Sequence, residues 1–290
     1  MAEEAWRRWG EEDEQGALNQ IGPDQVRRAA SLVKTGRVIS LAQPIADKTP
    51  VPAMRQPVMH LMNRDGGDYA AGAKRPGGVQ VAEDTLIIPV HLATHIDALC
   101  HVWYDDKLYN GFSGNGTRSG SGATRCGVEK FTPLVTRGLF FDVVKHRGAA
   151  PKMGEIITAD ELKEIGAKAG FAPEPGDAVL IRTGWWEEHG NKPDYFDGEP
   201  GIDVEGAEWL AEAGVSLVAM DNYAIEVIPF PAGTVFPVHQ RLLRDYGVPL
   251  MEGLILTELA ASGATQFMFT AAPLPVKGAT GSPLTPLAVF

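Results

Sequence analysis

Three of the chain's seven histidines, His91, His95 and His101, fall within residues 91–101, and Asp97 stands between the last two. Seven histidines spread evenly over 290 residues would place about 0.3 in a window of that length. Neutral imidazole and carboxylate together are the donor set of zinc, manganese and iron(II) sites. On a regular helix His91 and His95 would share one face, while Asp97 and His101 would share a nearly opposite one. On a strand all four have the same parity and point to one side. Positions four apart in a strand are about 13 Å apart, near the limit at which two imidazoles could reach one ion. The spacing therefore reads as a chain that leaves a strand and turns at Ala93 and Thr94, folding His91 and His95 back together with Asp97.

Two other readings compete. The histidines could be scattered, hydrogen-bonded groups beside a core strand, against which stands the cost of burying several partly cationic groups without compensation. Alternatively, Cys100 could be a nucleophile with His101 as its base. Neighbouring residues on extended chain point to opposite faces, which separates thiol from imidazole. Outside the window, His60, His146 and His189 sit in polar or Gly-flanked contexts and read as ordinary. Glu187 and Glu188 read as a solvated pair, and Trp185 and Trp186 as packing residues. On its own, His239 reads as a cap or surface residue before an amphipathic stretch.

The elements that must position these groups are those of an α/β protein. At 290 residues the chain can bury a sizeable core, and 33 glycines and 21 prolines make it loop-rich without reaching the range of disordered chains. The 26 basic and 37 acidic residues leave a net charge of −11, and no basic run exceeds a pair, so nucleic acid is excluded as a partner. Residues 1–10 lack the apolar stretch of a leader and no segment is apolar enough to span a bilayer, which places the chain in the cytoplasm. Cys100 and Cys126 are expected as thiols there. Periodicity and end signals predict helices over 23–34, 159–168 (opened by the Thr158/Glu161 box and closed by Gly170) and 204–213. Strands are expected at 38–41, 86–90, 139–144, 177–182, 215–220 and 266–271. No boundary divides the chain, and residues 47–83 read as a long irregular insertion folded over something.

His91, Thr94, His95, Asp97 and His101 resemble the His-x-Gly-Thr-His-x-Asp-x-Pro-x-His signature of the cyclase family of metal hydrolases, which includes bacterial kynurenine formamidase and isatin hydrolase. Ala93 replaces its Gly and Leu99 its Pro. The likeness extends through Trp9-Gly10, residues 16–19, 109–111, 176–185 and 214–221, which look like the longer bacterial members. It also implies a second metal-bearing segment, matched here by His239 and, thirteen residues on, Glu252.

The resemblance implies the swivelling β/β/α fold, a single domain with a mixed or barrel-like β core, flanking helices and an N-terminal extension over about 1–45. It implies one or two divalent ions, Zn2+ or Mn2+, on His91, His95, Asp97, His239 and Glu252, with Asp97 and Glu252 able to bridge. His101 becomes the proton donor and acceptor. The reaction implied is hydrolysis of a small amide, cyclic amide or lactone, with an arylformamide of the N-formyl-kynurenine type leading and a lactone or isatin-type ring as the alternative. A metal- or small-molecule-binding protein without turnover is the rival of another class. A homo-oligomer, dimer or tetramer, is implied as well.

Overall fold

A computed structural model describes residues 6–290 of the chain. Half of the stretch read as lacking a leader, residues 1–5, lies outside the described residues. Nine strands form one mixed sheet. In chain order they are β1 (Val38–Ser40), β2 (His95–Asp97), β3 (Leu134–Asp142), β4 (Ala178–Arg182), β5 (Leu217–Met220), β6 (Leu250–Glu252), β7 (Gln266–Ala271), β8 (Gly281–Pro283) and β9 (Leu287–Val289). Their spatial order is β1-β9-β7-β3-β4-β5-β6-β2-β8.

The middle of the sheet is parallel, from β3 through β4 and β5 to β6. These strands carry unbroken apolar runs such as Ala178-Val179-Leu180-Ile181 and Leu217-Val218-Ala219-Met220, every one of them buried. Parallel strands covered on both faces have no solvent side on which to alternate. Antiparallel strands flank this centre, β7, β9 and β1 on one side and β2 and β8 on the other. The result is the expected α/β architecture with a mixed β core and flanking helices.

Local chemistry sets the element ends. Helix Ala159–Ala169 starts where the Thr158 hydroxyl accepts from the Glu161 N–H at 3.2 Å and stops at Gly170, whose φ is +77°, a left-handed cap that glycine adopts without Cβ strain. The helix expected over 23–34 ends earlier, at Ala30. The strand expected over 139–144 instead runs from Leu134 to Asp142. There the Asp142 carboxylate accepts from the Lys145 N–H and starts the helix Val143–Arg147. Of the strand expected at 86–90 only Leu86 and Ile87 are extended, as the end of a hairpin, Met59–Arg64 against Glu83–Ile87, which stands outside the main sheet. Residues 47–83 are thus only partly irregular, since they also hold the short helix Gly66–Ala70.

The N-terminal segment is clasped onto the core rather than appended to it. The Asp13 carboxylate accepts from the N–H groups of Gln15 and Gly16, the Asn19 amide and the Tyr109 hydroxyl. The Asn110 amide donates to the carbonyls of Gly10, Glu11 and Asp13. The extension also ends sooner than position 45, because β1 already belongs to the sheet. Both cysteines are free and buried. Burial pushes the Cys100 thiol up to about 12, which removes it as a nucleophile.

Candidate metal centre and catalytic site

The site is assembled by one antiparallel register. In β2, His95 and Asp97 are two residues apart and point to the same side. Glu252, the last residue of β6, lies directly opposite His95, so two segments more than 150 residues apart in sequence place their side chains together. The turn before β2 is made at Ala93, which adopts φ +52°. Thr94 fixes that turn: its hydroxyl donates to the Gly253 carbonyl at 2.6 Å and accepts from the Gln43 N–H at 2.9 Å. The same carbonyl receives the Gln43 amide. His239 enters at the end of the single turn Pro237–His239, where the chain runs on into the π-helical stretch Gln240–Tyr246.

His95, Asp97, His239 and Glu252 are each no more than 4% exposed. His95 Nε2 lies 3.2 Å from Glu252 Oε2 and 3.6 Å from Asp97 Oδ1. His239 Nε2 lies 3.2 Å from Glu252 Oε1 and 3.5 Å from Asp97 Oδ2. The second nitrogen of each ring is already committed. His95 Nδ1 donates to the Ala93 carbonyl at 3.0 Å, and His239 Nδ1 donates to Glu226 Oε1 at 2.7 Å. These bonds fix the tautomers so that both Nε2 lone pairs face the two carboxylates. His91 Nδ1 donates to Asp97 Oδ1 at 2.7 Å, with Thr280 against its Nε2 at 2.9 Å.

Three buried atoms of this cluster, His95 Nε2, Asp97 Oδ2 and Glu252 Oε1, have no hydrogen-bond partner of good geometry. Buried polar atoms left unpaired are costly, and these three lone-pair-bearing atoms of one cluster fit a bound cation. The donor atoms fall into two groups that share Asp97, one of Asp97, His239 and Glu252 and one of His91, Asp97 and His101. Imidazole nitrogens and carboxylate oxygens converging in a buried site fit a divalent cation, and a shared carboxylate suits two.

The electrostatics agree with that fit. Burial works against charge on every group here, yet the hydrogen bonds that His239 donates to Asp97, Glu226 and Glu252 override it and hold His239 well above the ordinary imidazole range. His95 is raised in the same way through Glu252. Against burial, His101 and His91 hold the Asp97 carboxyl well below its usual range, and His239 and His95 lower Glu252. His101 stands apart. It stacks on His91 with ring centroids 3.8 Å apart, its Nε2 lies 4.0 Å from Asp97 Oδ2, and burial lowers it to about 3.

Beside the cluster is a cleft lined by Arg55, Trp186, Tyr195, Phe196 and Tyr223 together with His95 and Glu252. Its aromatic rings meet edge to face in a row, Trp186 to Tyr195 at 5.6 Å, Tyr195 to Phe196 at 4.8 Å and Phe196 to Tyr223 at 4.9 Å. On another side Phe236 packs against His239 at 5.0 Å, from a backbone with φ +50°, the kind of left-handed strain that collects at functional sites.

The Cyclase family model matches residues 39–227. The chain belongs to the cyclase family. A solved structure described as a novel cyclase shares 37% identity, with a TM-score of 0.91 over 98% of this chain and 99% of its own. Isatin hydrolase from Roseibium aggregatum is 26% identical over 95% of this chain and 97% of its own length. Kynurenine formamidase from Bacillus cereus is 25% identical over 72% of this chain and 79% of its own. A crystal structure of an isatin hydrolase bound to the product analogue thioisatinate shares the fold, at 19% identity and a TM-score of 0.66 over 93% of this chain and 99% of its own.

In this cyclase all six residues singled out in the sequence come together, His91, His95, Asp97 and His101 from one segment and His239 and Glu252 from two others. Sequence reasoning passed over Glu226, a carboxylate in the apolar run Ala224-Ile225-Glu226-Val227, whose burial the flanking residues already signalled. Besides His239 Nδ1 it accepts from the N–H groups of Val238 and His239. Of the two tryptophans, Trp185 is packing, stacked on His189 at 3.8 Å, whereas Trp186 lines the cleft. His60 pairs with Asp84 on the exposed hairpin, far from any ligand role.

Proposed function

We propose that this cyclase is a metal-dependent hydrolase of a small amide, cyclic amide or lactone, with an arylformamide of the N-formyl-kynurenine type as its leading substrate. The observation that carries the reading is the trio of unpaired buried donor atoms on His95, Asp97 and Glu252, seen in a chain whose relatives include an isatin hydrolase and a kynurenine formamidase. His91, His95, Asp97, His239 and Glu252 hold one or two divalent ions, zinc or manganese. A cation there supplies Lewis acidity, lowering the pKa of water and polarising a carbonyl.

The chain's own groups do the rest. The His101 ring has no hydrogen-bond partner among the described residues, its nearest carboxylate oxygen lying 4.0 Å away, and it is partly exposed, so its free nitrogen accepts the proton of the attacking water. It then returns that proton to the departing nitrogen or oxygen, a two-way role suited to imidazole. The aromatic row offers apolar ring faces and edges to an acyl or aryl group. The implied homo-oligomer belongs to the same reading. It is supported by the hairpin, one face of which presents Met59, Leu61 and Ile87 at 37–48% exposure, exposed apolar side chains of the kind that mark interfaces.

The test is the full chain loaded in turn with zinc and manganese and assayed against N-formyl-kynurenine, isatin and a dienelactone. Turnover that a chelator abolishes and metal restores is expected. Bound metal with no turnover of any hydrolysable carbonyl would favour the non-catalytic binding protein instead.

A further inference from the structure

Arg55 is the one Arg or Lys lining the cleft. It belongs to the irregular strap between β1 and the hairpin, and it is half-buried. Its guanidinium donates to the His91 carbonyl and lies 5.7 Å from the centre of the Tyr223 ring. No carboxylate forms an ion pair with it among the described residues. That is unusual in a chain carrying 37 acidic residues, because a partly desolvated guanidinium is normally matched by an acid. A carbonyl and an aromatic face satisfy only part of its five-donor fork, and the remaining donors suit a carboxylate held bidentately.

The position is as telling as the charge. His91 sits in the metal-binding loop, so an anion on Arg55 would lie next to the cluster, with the row from Trp186 to Tyr223 alongside. We propose that Arg55 is a specificity residue that receives a carboxylate on the substrate or product, and that the substrate class is a planar aromatic acyl compound bearing an anionic group beside the bond to be cleaved. Arg55 lines the cleft, and the donors that the His91 carbonyl and the Tyr223 ring leave unmatched are the ones that receive the ligand's carboxylate. The inference rests on the hydrolase reading for the bond cleaved, but not for the recognition of the anion.

The experiment measures binding of anthranilate and of aniline to the metal-loaded full chain by calorimetry, alongside hydrolysis of N-formylanthranilate and formanilide. Anthranilate is expected to bind at least tenfold more tightly than aniline. Arg55→Gln is expected to erase that advantage at unchanged metal content, lowering kcat/KM for N-formylanthranilate tenfold or more while sparing formanilide; Arg55→Lys should fall between. A second readout needs no variant: anthranilate, and not aniline, is expected to protect Arg55 of the wild type from phenylglyoxal, followed by mass spectrometry. Equal binding of the two probes, an anthranilate advantage that survives Arg55→Gln, equal losses on both formamides, or no protection would each overturn the inference. A retained binding contrast with no hydrolysis of either formamide would leave Arg55's role standing and sink the hydrolase reading.

Discussion

Asp97 and His101 sit four residues apart and 4.0 Å from each other at their nearest atoms, and the proposed function gives them different work. Asp97 is almost wholly buried and touches three imidazoles, while the His101 side chain remains 26% exposed. Removing an acid–base group that holds no ion should cost chemistry alone. His101→Ala is expected to lower kcat by about 10²–10⁴ with metal content near that of the wild type, whereas His95→Ala should lose metal and turnover together. Elemental analysis and steady-state kinetics on the two variants check this, and loss of metal from His101→Ala would make it a ligand.

The same residues set a pH dependence. His95 and His239 are raised above the ordinary imidazole value in the metal-free protein, so their contribution to stability is full below about pH 6.5 and is lost as pH rises through the raised values. Asp97 and Glu252 are lowered, and their contribution is present above about pH 4 and is lost as pH falls. Metal binding needs neutral imidazoles. It should therefore release protons at pH 7 and strengthen as pH rises, which calorimetry in buffers of different ionisation enthalpy reads directly. Zero proton release would contradict the shifts.

At the scale of elements, the loop from His91 to Asp97 depends on a backbone turn that its sequence does not favour. Ala93 holds φ +52°, and a Cβ on the facing Gly253 would come within 2.5 Å of the Ala93 carbonyl oxygen. The left-handed conformation costs an L-residue about 1–2 kcal/mol, offset in part by glycine's greater freedom in the unfolded chain. Ala93→Gly is accordingly expected to raise stability by roughly 0.5–1 kcal/mol in denaturant unfolding, with activity retained.

Which elements could be read in advance follows a simple rule. The buried runs of β4 and β7 and the capped helix after Thr158 carry their own signals. β2 and β6 have three residues each, too few to show a period, and they exist because they pair with each other. The tail strands β8 and β9 lie among prolines and glycines and are likewise made by their partners. For the site, the cluster at 91–101 was legible from composition and parity, whereas Glu252 was reached only through the family resemblance. Nothing local marks Thr280 or Arg55, whose roles arise from segments folded across the sheet.

On the scale of the whole molecule, two carboxylates and three imidazoles converge in a buried site, and a cation is what reconciles them. Among the described residues no helix is long and apolar enough to cross a membrane. A ligand that binds only the folded state stabilises it by about 2.7 kcal/mol at a hundred times its Kd. For a chain of this size that is a shift of several degrees. Chelation should lower the melting temperature by about that much and readdition of zinc or manganese should restore it, as followed by calorimetry; an unchanged melting temperature would mean that the cluster is balanced without metal.

The most direct test is a crystal structure of the metal-loaded protein with anomalous data collected at the metal edge. We expect a peak at about 2.0–2.2 Å from donor atoms of Asp97, His239 and Glu252, with His91 and His95 turned toward the same centre and His101 holding no bond to it. Density for the ion elsewhere on the molecule, or none between Asp97 and Glu252 in a protein shown to contain metal, would contradict the account.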